Sequence, residues 1–316
     1  SLDISNRDGL LLANELFNIG VQFERQLEIV LVRGSTALAP AASQRGWIRE
    51  FNGLERQIVT GKSDLDTGIA CPGADSTVQT WGTGIDQTVG GRTFVAMLTD
   101  LYYQKSMEAE RVGMGGTQFV FIGSMKLFRA LTYVWACQYY TYRCDSASAS
   151  NPNFTNAPEI RNLQLEMFQG RYLLIDGQRV PFVFSDGIRS TKASATIWTD
   201  DNLFLSPVSW AGQQLLNLYY KPMDNPDAVD FANFGGERRI WSINDGMFLV
   251  ATRYQGFCFE HLFASKFRLI QEAPFLAAVV NTIQYQYQQE YRDPMPGSTY
   301  HFDGGGTRLD GNYTVT

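Results

Sequence analysis

One run near the start of the chain narrows what it can fold into. Between residues 10 and 33, Leu12, Leu16, Ile19, Phe23, Leu27 and Val30 recur at steps of three and four, the spacing of a single helical face. Asn14, Gln22, Glu24, Arg25 and Glu28 fill the other faces, Asn6 or Asp8 can cap the start, and Gly34 suits the end. At the α-helical rise such a rod is about 36 Å long. That exceeds the ordinary globular helix, so it is expected to span its whole domain.

Residues 35–91 lose this periodicity. Gly, Ser, Thr and Asp dominate, with short extended pieces at 57–60 and 77–81, and intersubunit contacts are expected in so long an irregular stretch. Residues 92–111 read as a second helix with Phe94, Leu98 and Leu101 on one face. A short strand at 117–122 follows, and then a helix capped by Ser124 that aligns Phe128, Leu131 and Trp135. Past a polar break at 146–158, strands are expected at 163–168, 172–175 and 180–184. Asp176-Gly177 supplies a hairpin turn, and Pro181 pushes its strand toward a sheet edge. A strand at 196–199 and a short helix at 212–220 come next, then a pair at 239–243 and 247–254 joined through Asn244-Asp245-Gly246. Phe257, Phe259, His261 and Phe263 alternate along an extended segment. At 277–287, Val279, Asn281, Ile283, Tyr285 and Tyr287 face one way, and Thr282, Gln284 and Gln286 the other, as in an antiparallel sheet with one wet face. The tail from Asp293, with Gly304-Gly305-Gly306, reads as a flexible or partner-ordered strap.

Composition argues against several activities. Hydrophobic residues make up 44% of the 316, and charged residues only 18%, below the usual share of about a quarter. Aromatics reach 13%. Such a chain can bury its excess in an aromatic-rich core or against copies of itself. The net charge is −6 and no basic run is present, which disfavours a protein that grips nucleic acid through many phosphates. Cys71, Cys137, Cys144 and Cys258 lack CxxC spacing and read as reduced thiols. With His261 and His301 as the only histidines, no HExxH motif and no histidine-based triad can be built. The glycines at 82, 84, 90 and 91 match no phosphate-loop pattern, and Asp64, Asp66, Asp200 and Asp201 read as solvated loop acids. No signal peptide or membrane-spanning run is evident. The first residue is Ser1, as expected of a processed chain or part of a longer product.

The order of elements resembles a known family. A long helix is followed by a glycine-rich stretch holding Phe51-Asn52-Gly53-Leu54, then a helix, strand and Ser124-capped helix. The hairpin over 172–184, with Asp176-Gly177-Gln178-Arg179-Val180-Pro181, comes next, and the chain closes through Glu272-Ala273-Pro274 and residues 277–284. This resembles the major capsid proteins of tailed bacteriophages. The resemblance implies an α+β chain with the Hong Kong 97-type fold: a spine helix, a peripheral (P) domain with an antiparallel sheet, and an axial (A) α/β domain. It implies spine and extended-loop region at 1–91, axial domain at 92–245, returning peripheral strands at 246–290 and a C-terminal tail at 291–316. Only nine residues precede Leu10 here, whereas the family carries an arm and a long hairpin before its spine, so no crosslinking residue is carried over.

By the same resemblance the chain is expected to be a shell subunit and not an enzyme. It would form homo-pentamers and homo-hexamers around packaged double-stranded DNA, assemble in the host cytoplasm and reside in the virion. Portal, scaffolding and decoration proteins are expected partners, with no membrane and no cofactor or metal. Trp47, Trp81, Tyr219, Tyr220, Phe231, Phe234 and Trp241 are the candidate intersubunit contacts, with ordinary core packing as the alternative for each. Two other readings stay open. One is an encapsulin-type nanocompartment shell. The other is an unrelated α+β enzyme or carbohydrate-binding protein that stacks sugars on Trp47, Trp81, Trp198 or Trp210.

Overall fold

The computed structural model describes residues 4–36, 51–63, 67–82, 84–85, 89–139, 158–193, 197–221, 238–243, 247–255, 258–286, 299–301 and 312–314. Trp47, Phe231, Phe234, Asp64 and Asp66 lie outside them. Helices run over Ile4–Arg33 (α1), Leu54–Gln57 (α2), Val89–Arg111 (α3), Met125–Tyr139 (α4) and Pro158–Gly170 (α5). Strands begin with Thr77–Thr80 (β1), Gly84–Ile85 (β2), Gln118–Gly123 (β3), Tyr172–Ile175 (β4), Gln178–Phe184 (β5), Ser190–Lys192 (β6) and Ile197–Trp210 (β7). They continue with Gln213–Gln214 (β8), Leu216–Tyr220 (β9), Arg238–Ile243 (β10), Phe248–Gln255 (β11), Cys258–Ala264 (β12), Phe267–Gln271 (β13) and Ala278–Gln286 (β14). Residues 1–286 form one unit. Residues 287–316 form a second, in which Thr299–His301 (β15) and Asn312–Thr314 (β16) pair antiparallel.

The first unit holds the helices, a nine-stranded mixed sheet, a three-stranded antiparallel sheet β10-β11-β12 and a two-stranded ribbon of β9 and β13. Its nine-stranded sheet has the main order β1-β14-β7-β3-β5-β4, with β14 parallel to β1 and antiparallel to β7. The purely antiparallel sheet expected at 277–287 is therefore corrected to a mixed one. The cause lies in the irregular stretch after α2, which supplies β1 and β2 as parallel neighbours of β14.

Both faces are covered at the centre of this sheet, on β3, β7 and β14. Phe121, Leu205 and Ala278 stand opposite one another across β3, β7 and β14. Phe121 stacks with Phe182, whose ring lies 4.5 Å from that of Phe128 on α4. On the other face, Ile122, Phe204 and Val279 join Val32 of α1, Leu54 and Ile58 near α2, and Leu269 of β13. A strand buried on both faces reads as a continuous apolar run and shows no alternation. That is why Leu203, Phe204 and Leu205 are all at most 1% exposed.

Several expected elements have their local cause on view. The Ser124 hydroxyl accepts the Leu127 N–H at 3.1 Å, capping α4. Asp176 and Gly177 both take positive φ, 45° and 84°, as a two-residue hairpin turn requires. Other expectations are corrected. The strand at 163–168 is part of helix α5: Pro158 occupies its start, and Met167 is fully buried with Phe168 stacking on Phe128. The helix expected at 212–220 is strand. Ala211 and Gly212 take positive φ and turn β7 into β8, after which β9 pairs with β13. The extended piece at 57–60 instead begins as the end of α2. Pro181 does not mark the edge, because β4 lies outside β5. Its missing N–H costs nothing there, since the β3 ladder starts one residue later at Phe182. The strand expected at 196–199 is the start of the long β7.

Candidate interaction surface and the buried acid beneath it

The C-terminal end of α1 is held backbone to backbone. The Gly34 N–H bonds the Val30 carbonyl at 2.8 Å, and the Gly53 N–H bonds the Gly34 carbonyl at 2.9 Å. A Cβ at Gly53 would lie 2.6 Å from the carbonyl oxygens of Val30 and Val32, and one at Gly187 would lie 2.6 Å from that of Glu28. These glycines are needed for close approach. Arg33 Nε donates to the Gly187 carbonyl, and Glu28 accepts the Asp186 N–H at 2.7 Å. Further back along α1, Phe23 meets Phe248 of β11 edge-on at 5.4 Å, and Phe248 meets Phe267 of β13 at 6.0 Å. The opening helix is thereby joined to strands from the closing part of the chain.

Beside this seam lies the ribbon of β9 and β13, a two-stranded sheet of its own. Here the structure brings together two of the expected contact residues. Tyr219 and Tyr220 are 50% and 42% exposed, with Leu218 beside them at 42%. Lys221, Lys266 and Arg268 are exposed at the same end of the ribbon. Trp81 sits elsewhere: half-buried after β1, it packs edge-on against Phe94 at 5.0 Å. Trp241 lies on β10 opposite Val250. The exposed Leu218 was not singled out in the sequence, since its place on an open strand depends on the pairing of β9 with the distant β13.

The sequence reading also missed a buried polar node. Asp200, expected to be solvated, is fully buried on β7. The Ser124 hydroxyl donates to its Oδ2, and Ser190 and Tyr285 donate to its Oδ1 at 2.6 and 2.8 Å. One carboxylate thus ties the cap of α4 to β6, β7 and β14. Burial pushes the Asp200 carboxyl upward, and the three hydroxyl donors and Lys126 only partly counter it. Burial also raises the Tyr285 phenol, helped by the neighbouring carboxylate. Lys126 lies 3.4 Å from the centre of the Trp198 ring, and partial burial lowers its ammonium despite Asp200 and Asp186 nearby. The sequence offered no signal for this node beyond the acid itself, since two of its donors, Ser124 and Tyr285, lie far away along the chain.

Among the described residues, no group of three or more His, Cys, Asp and Glu is placed to hold a metal ion. No helix among them is long and apolar enough to cross a membrane. Comparison with protein-family models and with curated proteins found no match.

Proposed function

We propose that this chain is a structural subunit that assembles with its own copies, as a major capsid protein of the tailed-phage, Hong Kong 97-type class. It builds pentamers and hexamers of an icosahedral shell around double-stranded DNA and resides in the virion. Portal, scaffolding and decoration proteins are its further partners. One observation carries the reading: the C-terminal part of the long opening helix meets the returning strands. Val32 is buried with Ala277 and Val279, and Phe23 packs on Phe248. A helix and strands from opposite ends of the sequence in contact is what a spine helix packed on a peripheral sheet requires, and it supports this reading. The aromatic, charge-poor composition and the exposed Leu218–Tyr220 run support the same reading, because interfaces between permanent partners are rich in aromatics.

The test is sedimentation velocity and negative-stain electron microscopy of the purified chain over a range of salt, pH and protein concentration. Rings or closed shells are the expected result. A species that stays monomeric across all of these conditions overturns the reading.

A further inference from the structure

Among the described residues, the β9 edge of the ribbon of β9 and β13 is unpaired. The Lys221 N–H donates to the Lys266 carbonyl at 2.9 Å, and the Glu272 N–H to that of Leu215 at 2.8 Å. The hydrogen-bonded rungs therefore fall at 221/266, 219/268, 217/270 and 215/272, and the residues between them turn their peptide groups outward. On β13 that outer edge is capped between Leu269 and Gln271. The Gln57 side-chain amide donates to the Leu269 carbonyl at 3.0 Å and accepts from the Gln271 N–H at 2.9 Å, standing in for a neighbouring strand. On β9 the outward N–H and C=O groups of Leu218 and Tyr220 meet no partner among the described residues. The same strand carries, at 218–220, the one run of three consecutive exposed large apolar side chains among the described residues. An open, apolar strand edge is a template for strand addition.

We propose that β9 of one copy pairs antiparallel with β9 of a second copy, about a twofold axis at Leu218, joining two ribbons into one four-stranded sheet. The charges of the ribbon select this occupant and this direction. Lys221 and Arg268 are exposed at one end, and Glu272 at the other. Antiparallel pairing sets each basic end against the partner's acidic end, whereas parallel pairing crowds the basic ends together. The register also closes: with Leu218 opposite its own equivalent, Leu216 falls opposite Tyr220 of the partner subunit, and the outward peptide groups meet. The proposal rests on the chain associating with itself, and its test reads the pairing separately.

The experiment is oxidative crosslinking of the full-length chain carrying Leu218→Cys, with Tyr220→Cys as the register control and the unmodified chain for background from native thiols. Paired residues on a hydrogen-bonded antiparallel rung have Cα atoms about 5.5 Å apart, within the span of roughly 4.4–6.8 Å that a disulfide bridges. At position 220 the two equivalents lie about 13 Å apart along the strands. Leu218→Cys is expected to give covalent dimers linked at that position by peptide mapping, while Tyr220→Cys stays at background. A second variant, Leu218→Pro, removes an outward N–H that the ribbon itself does not use, and it is expected to weaken dimerisation at least about tenfold. Equal crosslinking at both positions, or none at 218, overturns the pairing, whether a segment of the same chain or an unrelated protein takes the edge. Shells from the wild type together with an uncrosslinked Leu218→Cys refute the pairing and leave the shell reading intact. A wild type that is monomeric throughout refutes both.

Discussion

Replacing Asp200 separates what its charge does from what its oxygens do. In Asp200→Ala three hydroxyls lose their shared acceptor. Hydrogen bonds to a charged group each contribute about 1.5–3 kcal/mol. Ser124 and Ser190 can swing to other acceptors, whereas the buried Tyr285 hydroxyl, on a residue only 1% exposed, is left with the two serine hydroxyls beside it and no carboxylate. Removing the carboxylate also relieves its own desolvation cost, so a net loss of roughly 3 kcal/mol is expected. Asp200→Asn keeps Oδ1 for Ser190 and Tyr285, and its amide can donate to the Ser124 oxygen, so its loss should stay below about 1.5 kcal/mol. Tyr285→Phe deletes one donor, and a double-mutant cycle with Asp200→Ala should show a coupling of about 1 kcal/mol. The pH dependence has a definite sign. Because the folded carboxyl is raised above its unfolded value, the folded state holds the proton more tightly. Stability from this group is greatest at low pH and is lost as pH rises through the folded pKa. Urea unfolding of the wild type and Asp200→Asn from neutral pH down toward pH ~4 checks this: the wild type should gain relative to the variant on acidification. Equal losses for the Ala and Asn variants, or a wild-type-minus-Asn difference that does not move with pH, would refute the reasoning.

Three substitutions test the backbone. Gly53→Ala forces a methyl to 2.6 Å from two carbonyl oxygens and should cost about 2 kcal/mol or more in chemical denaturation. Gly20→Ala, inside α1 with nothing within 4 Å of the new Cβ, should instead stabilise by about 0.5–1 kcal/mol, read as a rise in Tm. Thr282 is a β-branched residue at φ 59° in β14, so Thr282→Gly should raise stability by about 1 kcal/mol. A drop in Tm for that variant would show the strain to be compensated by contacts of the threonine side chain.

What the sequence disclosed follows the range of the forces involved. Helix α1, the Ser124 cap and the Asp176-Gly177 turn are set by residues a few positions apart, and all three are in place. The errors arise where distant partners decide. The run Leu163-Gln164-Leu165-Glu166-Met167 fits alternation as well as helical spacing, and only the burial of Met167 and the stacking of Phe168 on Phe128 settle it as helix. Residues 216–220 become strand because β13, far along the chain, pairs with them. Asp200 beside Asp201 looks like a turn pair until Ser124, Ser190 and Tyr285 converge on it. Of the expected contact aromatics, Tyr219 and Tyr220 could be named for their chemistry. Their exposure, unlike the inward packing of Trp81 on Phe94, depends on which strand they join.

The architecture also bears on where association can occur. At the centre of the nine-stranded sheet both faces are spent: one on α4 and its aromatic neighbours, the other on Val32, Leu54 and Leu269. At the outer strand β4, the Trp135 indole donates to the Leu174 carbonyl at 2.6 Å, so that edge is partly capped from within. The β9–β13 ribbon is set beside this covered centre: Gln57 caps one of its edges, and the other has no partner strand among the described residues. Had both edges been open, the ribbon could add strands in either direction and run on into a fibre. With Gln57 seated on the β13 edge, strand addition there is opposed, and pairing through β9 alone joins two copies.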